Sequence, residues 1–279
     1  MRGSALLATA STVLIEAGVE SARNDAEILL AHVLGTPRGA LALVGEVSAA
    51  DREVFEGLVA RRAERIPLQH LTGTAGFRYV DLAVGPGVFT PRPETELLAG
   101  WAIEQAFGLE APVVVDLCTG SGAIARSVAE EVPHARVYAV ELDPEAHRWA
   151  QVNLAGSDVE LRQGDMADAF GDLDGTVDVV VCNPPYIPLE AWESVAPEAR
   201  DHDPHLALFS GADGLVAMRV LEQVAARLLR AGGVVGAEHA DLQGESAPGV
   251  FVAAGRWVDV RDHPDLAGRP RYLTARLAR

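Results

Sequence analysis

An α/β protein is what this sequence predicts: a parallel sheet covered by helices on both faces, preceded by a small all-helical domain. Three observations carry that reading. From about residue 111 onward, Val-rich apolar runs alternate with helical patterns, as repeated β-α units do. Residues 1–72 show helical spacing alone. Between them, residues 73–92, GTAGFRYVDLAVGPGVFTPR, break into short β-like runs punctuated by glycine and proline, which predicts a hairpin linker. The expected domains are therefore 1–72, a helical bundle; 73–92, the linker; and 93–279, the α/β domain.

Taken in order, SALLATASTVLIEAGV and DAEILLAHVLG carry apolar residues at helical spacing and close near Gly18 and Gly35. SAADREVFEGLVARRAERIP opens with Ser48 and Asp51 in a capping-box arrangement and stops before Pro67; its expected buried face is Val54, Phe55, Leu58 and Val59. Past the linker, the strands are PVVVDLC, RVYAVEL, DVELRQ, VDVVVC, GGVVGAEH, RWVDVRDH and PRYLTARL. Helical segments follow Gly122, Pro144, Asp213 and Gln243. There are no internal repeats and no low-complexity tract.

Composition narrows the function classes. Hydrophobic residues make up 49% and charged residues 23%, the ordinary globular range. All 23 basic residues are arginine, a bias of composition rather than of function. The net charge of −17 disfavours a dedicated nucleic-acid binder, whose affinity comes mainly from phosphate contacts. Cys118 and Cys182 sit inside apolar strand-like runs, without metal-site spacing, and are expected as buried thiols of a reducing compartment. No signal peptide is read at the N-terminus, where Glu16 interrupts a short apolar stretch. No run reaches the roughly 18 apolar residues of a membrane span. A cytoplasmic protein is expected. His70, His202, His205 and His239 lack ligand spacing, so no metal is expected.

Two motifs carry chemistry. VVVDLCTGSGAIA, residues 113–125, runs a strand through Asp116 into Gly120-Ser121-Gly122 at the head of a helix, the setting in which backbone approaches a nucleotide. The next strand ends at Glu141, about twenty residues on, where a carboxylate can accept from both ribose hydroxyls. Asp165 and Met166 follow the third strand, placed to flank an adenine ring. Ala125 ends a G-x-G-x-x-A pattern that NAD would tolerate, yet no following unit supplies hydride-transfer chemistry. The set fits S-adenosylmethionine better.

The second motif is Asn183-Pro184-Pro185-Tyr186. Two prolines end the strand VDVVVC and set an amide and an aromatic ring on a stiff turn. In an open parallel sheet, ligands bind beyond the carboxyl ends of the strands, so this turn faces the glycine loop. A conjugated amino nitrogen is a poor nucleophile. An enzyme that methylates it must hold its N–H groups and aim its lone pair. The Asn183 side-chain oxygen and the Pro184 carbonyl are the expected acceptors, and Tyr186 the stacking platform.

The NPPY turn resembles the signature of amino-group methyltransferases, both adenine-N6 and protein-glutamine-N5. FTPRPETELL (89–98) looks like the linker motif of the PrmC/HemK family, which methylates the glutamine of the GGQ loop in class I peptide release factors. The likeness extends through RIPLQHLTG (65–73), DLCTGSGAIA (116–125), EARDHDPHLALFSGADGL (198–215) and EHADLQGE (238–245). It implies a class I S-adenosylmethionine-dependent methyltransferase: a Rossmann-like, mostly parallel seven-stranded sheet behind a helical domain that recognises the substrate.

The same likeness implies cofactor contacts from Asp116, Cys118, Thr119, Gly120, Ser121 and Gly122, then Glu141, Asp165, Met166 and Asn183. It implies that Asn183, Pro184, Pro185 and Tyr186 hold the glutamine, with Phe89, Arg92, Pro93 and Glu94 shaping the pocket. Three positions depart from the family pattern. Cys118 replaces a common glycine, Glu141 a more usual aspartate, and Met166 an aromatic.

The expected partners are class I release factors, the expected product S-adenosylhomocysteine, and the expected state a monomer without direct nucleic-acid binding. An adenine-N6 nucleic-acid methyltransferase would use the same turn, but the acidic charge and the linker motif disfavour it. An inert nucleotide-binding scaffold is disfavoured by the intact turn. Glu238 ends a strand near the site and is expected to stabilise loops there.

Overall fold

The computed structural model describes residues 1–278. The chain begins with α1 (Gly3–Glu16), α2 (Ala22–Leu34), α3 (Ala49–Ala63), α4 (Leu68–Thr72), β1 (Thr74–Phe77), β2 (Val80–Ala83) and α5 (Thr95–Phe107). Next come β3 (Val113–Leu117), α6 (Ala123–Glu131), β4 (Arg136–Glu141), α7 (Pro144–Leu154), β5 (Glu160–Gln163) and β6 (Val177–Cys182). Then follow α8 (Pro197–His202), α9 (His205–Leu208), α10 (Val216–Leu228), β7 (Leu229–Glu238), α11 (Ser246–Ala254), β8 (Trp257–Pro264) and β9 (Pro270–Leu277).

Two compact units emerge, one of residues Met1–Thr74 with Ala196–His202, the other of Ala75–Val195 with the chain from Asp203 onward. In the first, Leu6, Leu7, Ala10 and Leu14 of α1 pack on Ala26, Leu29 and Leu30 of α2 and on Phe55 and Val59 of α3. Ser48 caps α3 by accepting from the Asp51 N–H at 3.1 Å, but only this half of the expected capping box forms, since the Asp51 carboxylate accepts from the Ser48 hydroxyl at 2.7 Å instead of from its backbone N–H. The expected buried face of α3 needs one correction: Val54 is 57% exposed. Residues 55, 59 and 62 share a face at helical spacing, and 54 lies about 100° around the helix from 55. The third inward place belongs to Arg62, whose Nε donates to Asp25 at 2.8 Å and whose Nη2 donates to Glu198 at 2.9 Å. Arg65 closes the network on Glu198 at 2.7 Å, which ties the segment 196–202 into this unit.

The second unit is built on a seven-stranded sheet in the order β5-β4-β3-β6-β7-β9-β8. Neighbours from β5 to β7 are parallel, and β9 runs antiparallel to both β7 and β8. Alternation divides the strand residues between two cores. Val114, Val137, Ala139, Val179 and Val181 face α5, α6 and α7; Val113, Val115, Leu117, Val180 and Cys182 face α10 and α11. The β1–β2 hairpin packs into the first of these cores through Phe77 and Leu82, each 1% exposed, so it belongs with this unit. Chain order reverses between β3 and β6: β4 and β5 extend to one side, β6 and β7 to the other. Beyond the carboxyl ends of that pair lies the crevice where open α/β sheets bind ligands. Among the described residues no helix is long and apolar enough to cross a membrane.

Candidate active site

β3 delivers Asp116 and then a loop whose backbone turns left-handed at every second residue: Cys118 (φ 58°), Gly120 (φ 57°) and Gly122 (φ 85°). Gly120 and Gly122 adopt this without steric cost; Cys118 does not, which gives physical content to its departure from the family glycine. Asp116 is fully buried. Its Oδ2 accepts from the Thr119 hydroxyl at 2.5 Å and from the Ala125 N–H at 3.1 Å, whereas its buried Oδ1 has no partner. Burial, with some repulsion from Glu141, pushes this carboxyl up to about 7. Glu141, at the end of β4, accepts from the Gly120 N–H on Oε2 and the Asp143 N–H on Oε1, both at 2.8 Å. Burial raises its carboxyl too, against those bonds. Each Glu141 oxygen keeps a lone pair for a further donor.

Leu117 and Cys182 are register partners on β3 and β6, so the glycine loop and the NPPY turn leave adjacent strand ends. The turn is gripped from several sides. Asn183 donates its Nδ2 to the Thr95 hydroxyl at 3.3 Å, and the Tyr186 hydroxyl donates to Glu238 Oε1 at 3.1 Å. Burial, then the Glu238 charge, holds the Tyr186 phenol above its ordinary range. The Tyr186 carbonyl accepts from Gln243 Nε2 at 3.0 Å. Gly214 passes so close that a Cβ there would lie 2.3 Å from this carbonyl oxygen, which leaves room for hydrogen alone.

Loop and turn open into one cavity of about 430 Å³. Cys118, Thr119, Gly120 and Ser121 line it on the loop side, with Glu141, Asp165 and Met166 beside them. Asn183, Pro185, Tyr186 and Phe89 line the other side. Asp116, Gly122 and Pro184 stand behind this surface. Arg92 is also set back: it lies over the Phe89 ring at 4.9 Å and donates to buried Asp203 at 2.6 Å. Asp203 is pushed up to about 6 by burial, against the pull of Arg92. Cys118 Sγ rests 3.6 Å from Met166 Sδ, so sulfur forms this part of the wall.

Thr95, Asp203 and the wall formed by Leu206, Leu208 and Phe209 were not singled out from sequence. Thr95 is hidden at the start of a helix behind two prolines. The wall comes from α9, only four residues long, where no period can develop. Of the histidines, His205 packs on Trp192 and Phe209, and buried His239 sits 2.9 Å from Asp262. Among the described residues no three potential ligands gather around a metal position.

The residues suit S-adenosylmethionine. Asp116 braces the loop from behind through Thr119 and Ala125, Glu141 retains acceptor capacity at the cavity wall, and left-handed glycines let a ligand approach the backbone. Comparison with known proteins points the same way. Residues 114–202 match a family model described as a methyltransferase domain, and residues 5–73 one described as the PrmC N-terminal domain. A methyltransferase from Pyrococcus furiosus has the same fold, with a TM-score of 0.51 and 20% identity over 71% of this chain and 88% of its own. Fold and site thus define a methyltransferase with the class I sheet.

The full-length relatives narrow this. A release factor glutamine methyltransferase of Streptomyces coelicolor is 58% identical over 98% of this chain and 97% of its own. A 4-amino-L-phenylalanine/4-methylamino-L-phenylalanine methyltransferase of Streptomyces pristinaespiralis is 43% identical over 88% and 85%. The chain belongs to the release factor glutamine methyltransferase family, PrmC/HemK.

Proposed function

We propose that this enzyme methylates the side-chain amide nitrogen of the glutamine in the GGQ loop of class I peptide release factors, supporting translation termination. One observation carries the reading: the glycine loop and the NPPY turn, on adjacent strand ends, line a single cavity. S-adenosylmethionine supplies an electrophilic sulfonium methyl when bound and leaves as the neutral thioether S-adenosylhomocysteine. Glu141 would hold the ribose hydroxyls, Asp165 and Met166 would flank the adenine, and the loop surface of Cys118, Thr119, Gly120 and Ser121 would face the rest of the molecule, with the Thr119, Gly120 and Gly122 N–H groups already given to Val140, Glu141 and Thr119.

The substrate amide has its lone pair delocalised into the carbonyl. The Asn183 oxygen, turned away from Thr95, accepts one amide N–H, and the Pro184 carbonyl accepts the other. As the nitrogen pyramidalises and gains positive charge, both bonds strengthen, which is selective stabilisation of the transition state. The Tyr186 ring stacks on the amide plane and holds the lone pair on line. No strong base is needed before transfer, because the N–H protons become acidic only as the N–C bond forms; the S–C bonding pair stays with the thioether sulfur and one amide proton passes to solvent.

The helical unit recognises the protein substrate. An adenine-N6 activity is disfavoured by a net charge of −17. The aminophenylalanine methyltransferase relative gives a second substrate class weight, since an arylamine is also a planar conjugated nitrogen. Labelled S-adenosylmethionine, offered with a class I release factor, with the same factor lacking its GGQ glutamine, and with free 4-aminophenylalanine, separates the two. Label entering only the intact factor is expected. Label entering the free amino acid and not the factor would overturn the proposal.

A further inference from the structure

An asparagine side chain has two nearly isosteric ends, and only its oxygen can accept an N–H from a substrate amide. The orientation of Asn183 is therefore a chemical switch, and the stiff turn that carries it does not choose between the ends. The surrounding hydrogen bonds do. Asn183 Nδ2 lies 3.3 Å from Thr95 Oγ1, Thr95 Oγ1 lies 2.7 Å from Glu238 Oε2, and the Tyr186 hydroxyl lies 3.1 Å from Glu238 Oε1. Thr95 is 5% exposed and Glu238 is 2% exposed.

With Glu238 ionised, proton counting fixes the direction of this chain. An ionised carboxylate accepts only, and each hydroxyl has one proton to give. Glu238 receives the single proton of Tyr186 on one oxygen and that of Thr95 on the other. With its proton committed, the Thr95 oxygen can only accept. Asn183 must meet it with the NH2 end, which turns Oδ1 the other way. Burial pushes the Glu238 carboxyl up, while the two hydroxyl donors and nearby Arg271 favour its charged form.

We propose that Thr95, at the cavity wall, and Glu238, behind it, are positioning residues: through one buried carboxylate they set the polarity of the Asn183 amide and hold the Tyr186 ring. This rests on Asn183 being the acceptor for the substrate amide. Thr95 stands in the TPRPETE stretch and Glu238 at the end of β7, so two segments remote from the turn in sequence decide which atom the turn offers.

The test measures kcat and KM of the full-length enzyme on a class I release factor, with calorimetric titration of S-adenosylmethionine and circular dichroism for folding. Thr95→Val keeps the shape and removes the hydroxyl; Thr95→Ser keeps the hydroxyl. For Thr95→Val, kcat is expected to fall on the order of tenfold or more, with cofactor affinity within about twofold. Thr95→Ser is expected to recover most of the lost rate, to within about threefold of the parent. Should Thr95→Val not fold, Thr95→Ala and Thr95→Ser differ by the hydroxyl alone and decide on the same ratio. A folded Thr95→Val with parental kcat, or equal losses in the valine and serine variants, would overturn the proposal. Asn183→Ala is run alongside. If it lowers kcat while Thr95→Val does not, the positioning role fails and the reading of Asn183 stands. If Asn183→Ala is also harmless, both fall together.

Discussion

Replacing Glu141 with alanine perturbs one side chain that the structure gives two tasks. Its oxygens each hold a backbone N–H, of Gly120 and of Asp143, at 2.8 Å, and their remaining lone pairs are placed for the ribose. Losing charge-assisted contacts to the ribose costs about 1.5–3 kcal/mol, or roughly ten- to a hundredfold in cofactor affinity. The freed Gly120 and Asp143 N–H groups gain water in the vacated space, so the loss of fold stability stays near ~1 kcal/mol. Glu141→Gln is the sharper probe. It keeps the volume, but one of its two polar atoms becomes an NH2 that must face a backbone N–H. It is expected to weaken binding about as much as alanine does, although glutamine could still accept one ribose hydroxyl. Glu141→Asp, the commoner residue in the family, is expected to stay within about tenfold. Calorimetric titration with S-adenosylhomocysteine, paired with thermal unfolding, reads both effects. An unchanged dissociation constant in Glu141→Ala would refute the reasoning and move the ribose partner elsewhere, with Asp143 the next candidate.

Asn183→Ala is expected to lower kcat on a release factor by on the order of a hundredfold, with little change in cofactor affinity, since the loop and Glu141 remain; near-parental turnover would contradict this. Cys118→Gly relieves a left-handed residue at φ 58°, and unfolding is expected to show a gain of about 0.5–1 kcal/mol, partly offset by the freer unfolded chain. Asp116, raised to about 7 by burial, lies behind the cavity wall, where its ionised form attracts a cationic ligand through the loop, so cofactor affinity is expected to fall by less than about tenfold per unit as pH drops below that value. Calorimetry in buffers of different ionisation enthalpy is expected to detect the released proton. The sign for the unliganded fold is opposite: a carboxyl raised on folding contributes stability at low pH that is lost as pH rises through about 7. A chain beginning at Thr74 is expected to bind S-adenosylmethionine but lose activity on whole release factors, measured by label transfer; a later start would strip Phe77 and Leu82 from the core.

The sheet and its two chemical motifs were legible because they rest on local patterns. Valine runs such as 113–115 and 179–181 announce strands buried on both faces, and a glycine loop or double proline carries its geometry in its own residues. What escaped was long-range. Thr95 and Glu238 meet across 143 positions of sequence, and nothing near either one signals the other. Helix α5 was readable in principle from buried Leu98, Ala99, Ala102, Ile103 and Ala106, but Pro91 and Pro93 made its start look like linker. Residues 185–211 hold only helices of four to six residues between prolines, too brief for any period to show. A run of apolar neighbours such as Val54 and Phe55 does not say which one faces inward, and here Phe55 does. Arg62 was overlooked because a buried arginine needs partners, Asp25 and Glu198, that only the folded unit supplies.

The most direct test asks which residue of the substrate receives the methyl group. A purified class I release factor, made in cells lacking such an enzyme, is incubated with this protein and S-adenosylmethionine, then digested and fragmented in a mass spectrometer. One added methyl group is expected on the GGQ peptide, localised by fragmentation to the glutamine side chain. A methyl group on any other residue, or an unmodified GGQ peptide after full incubation with active enzyme, would contradict it.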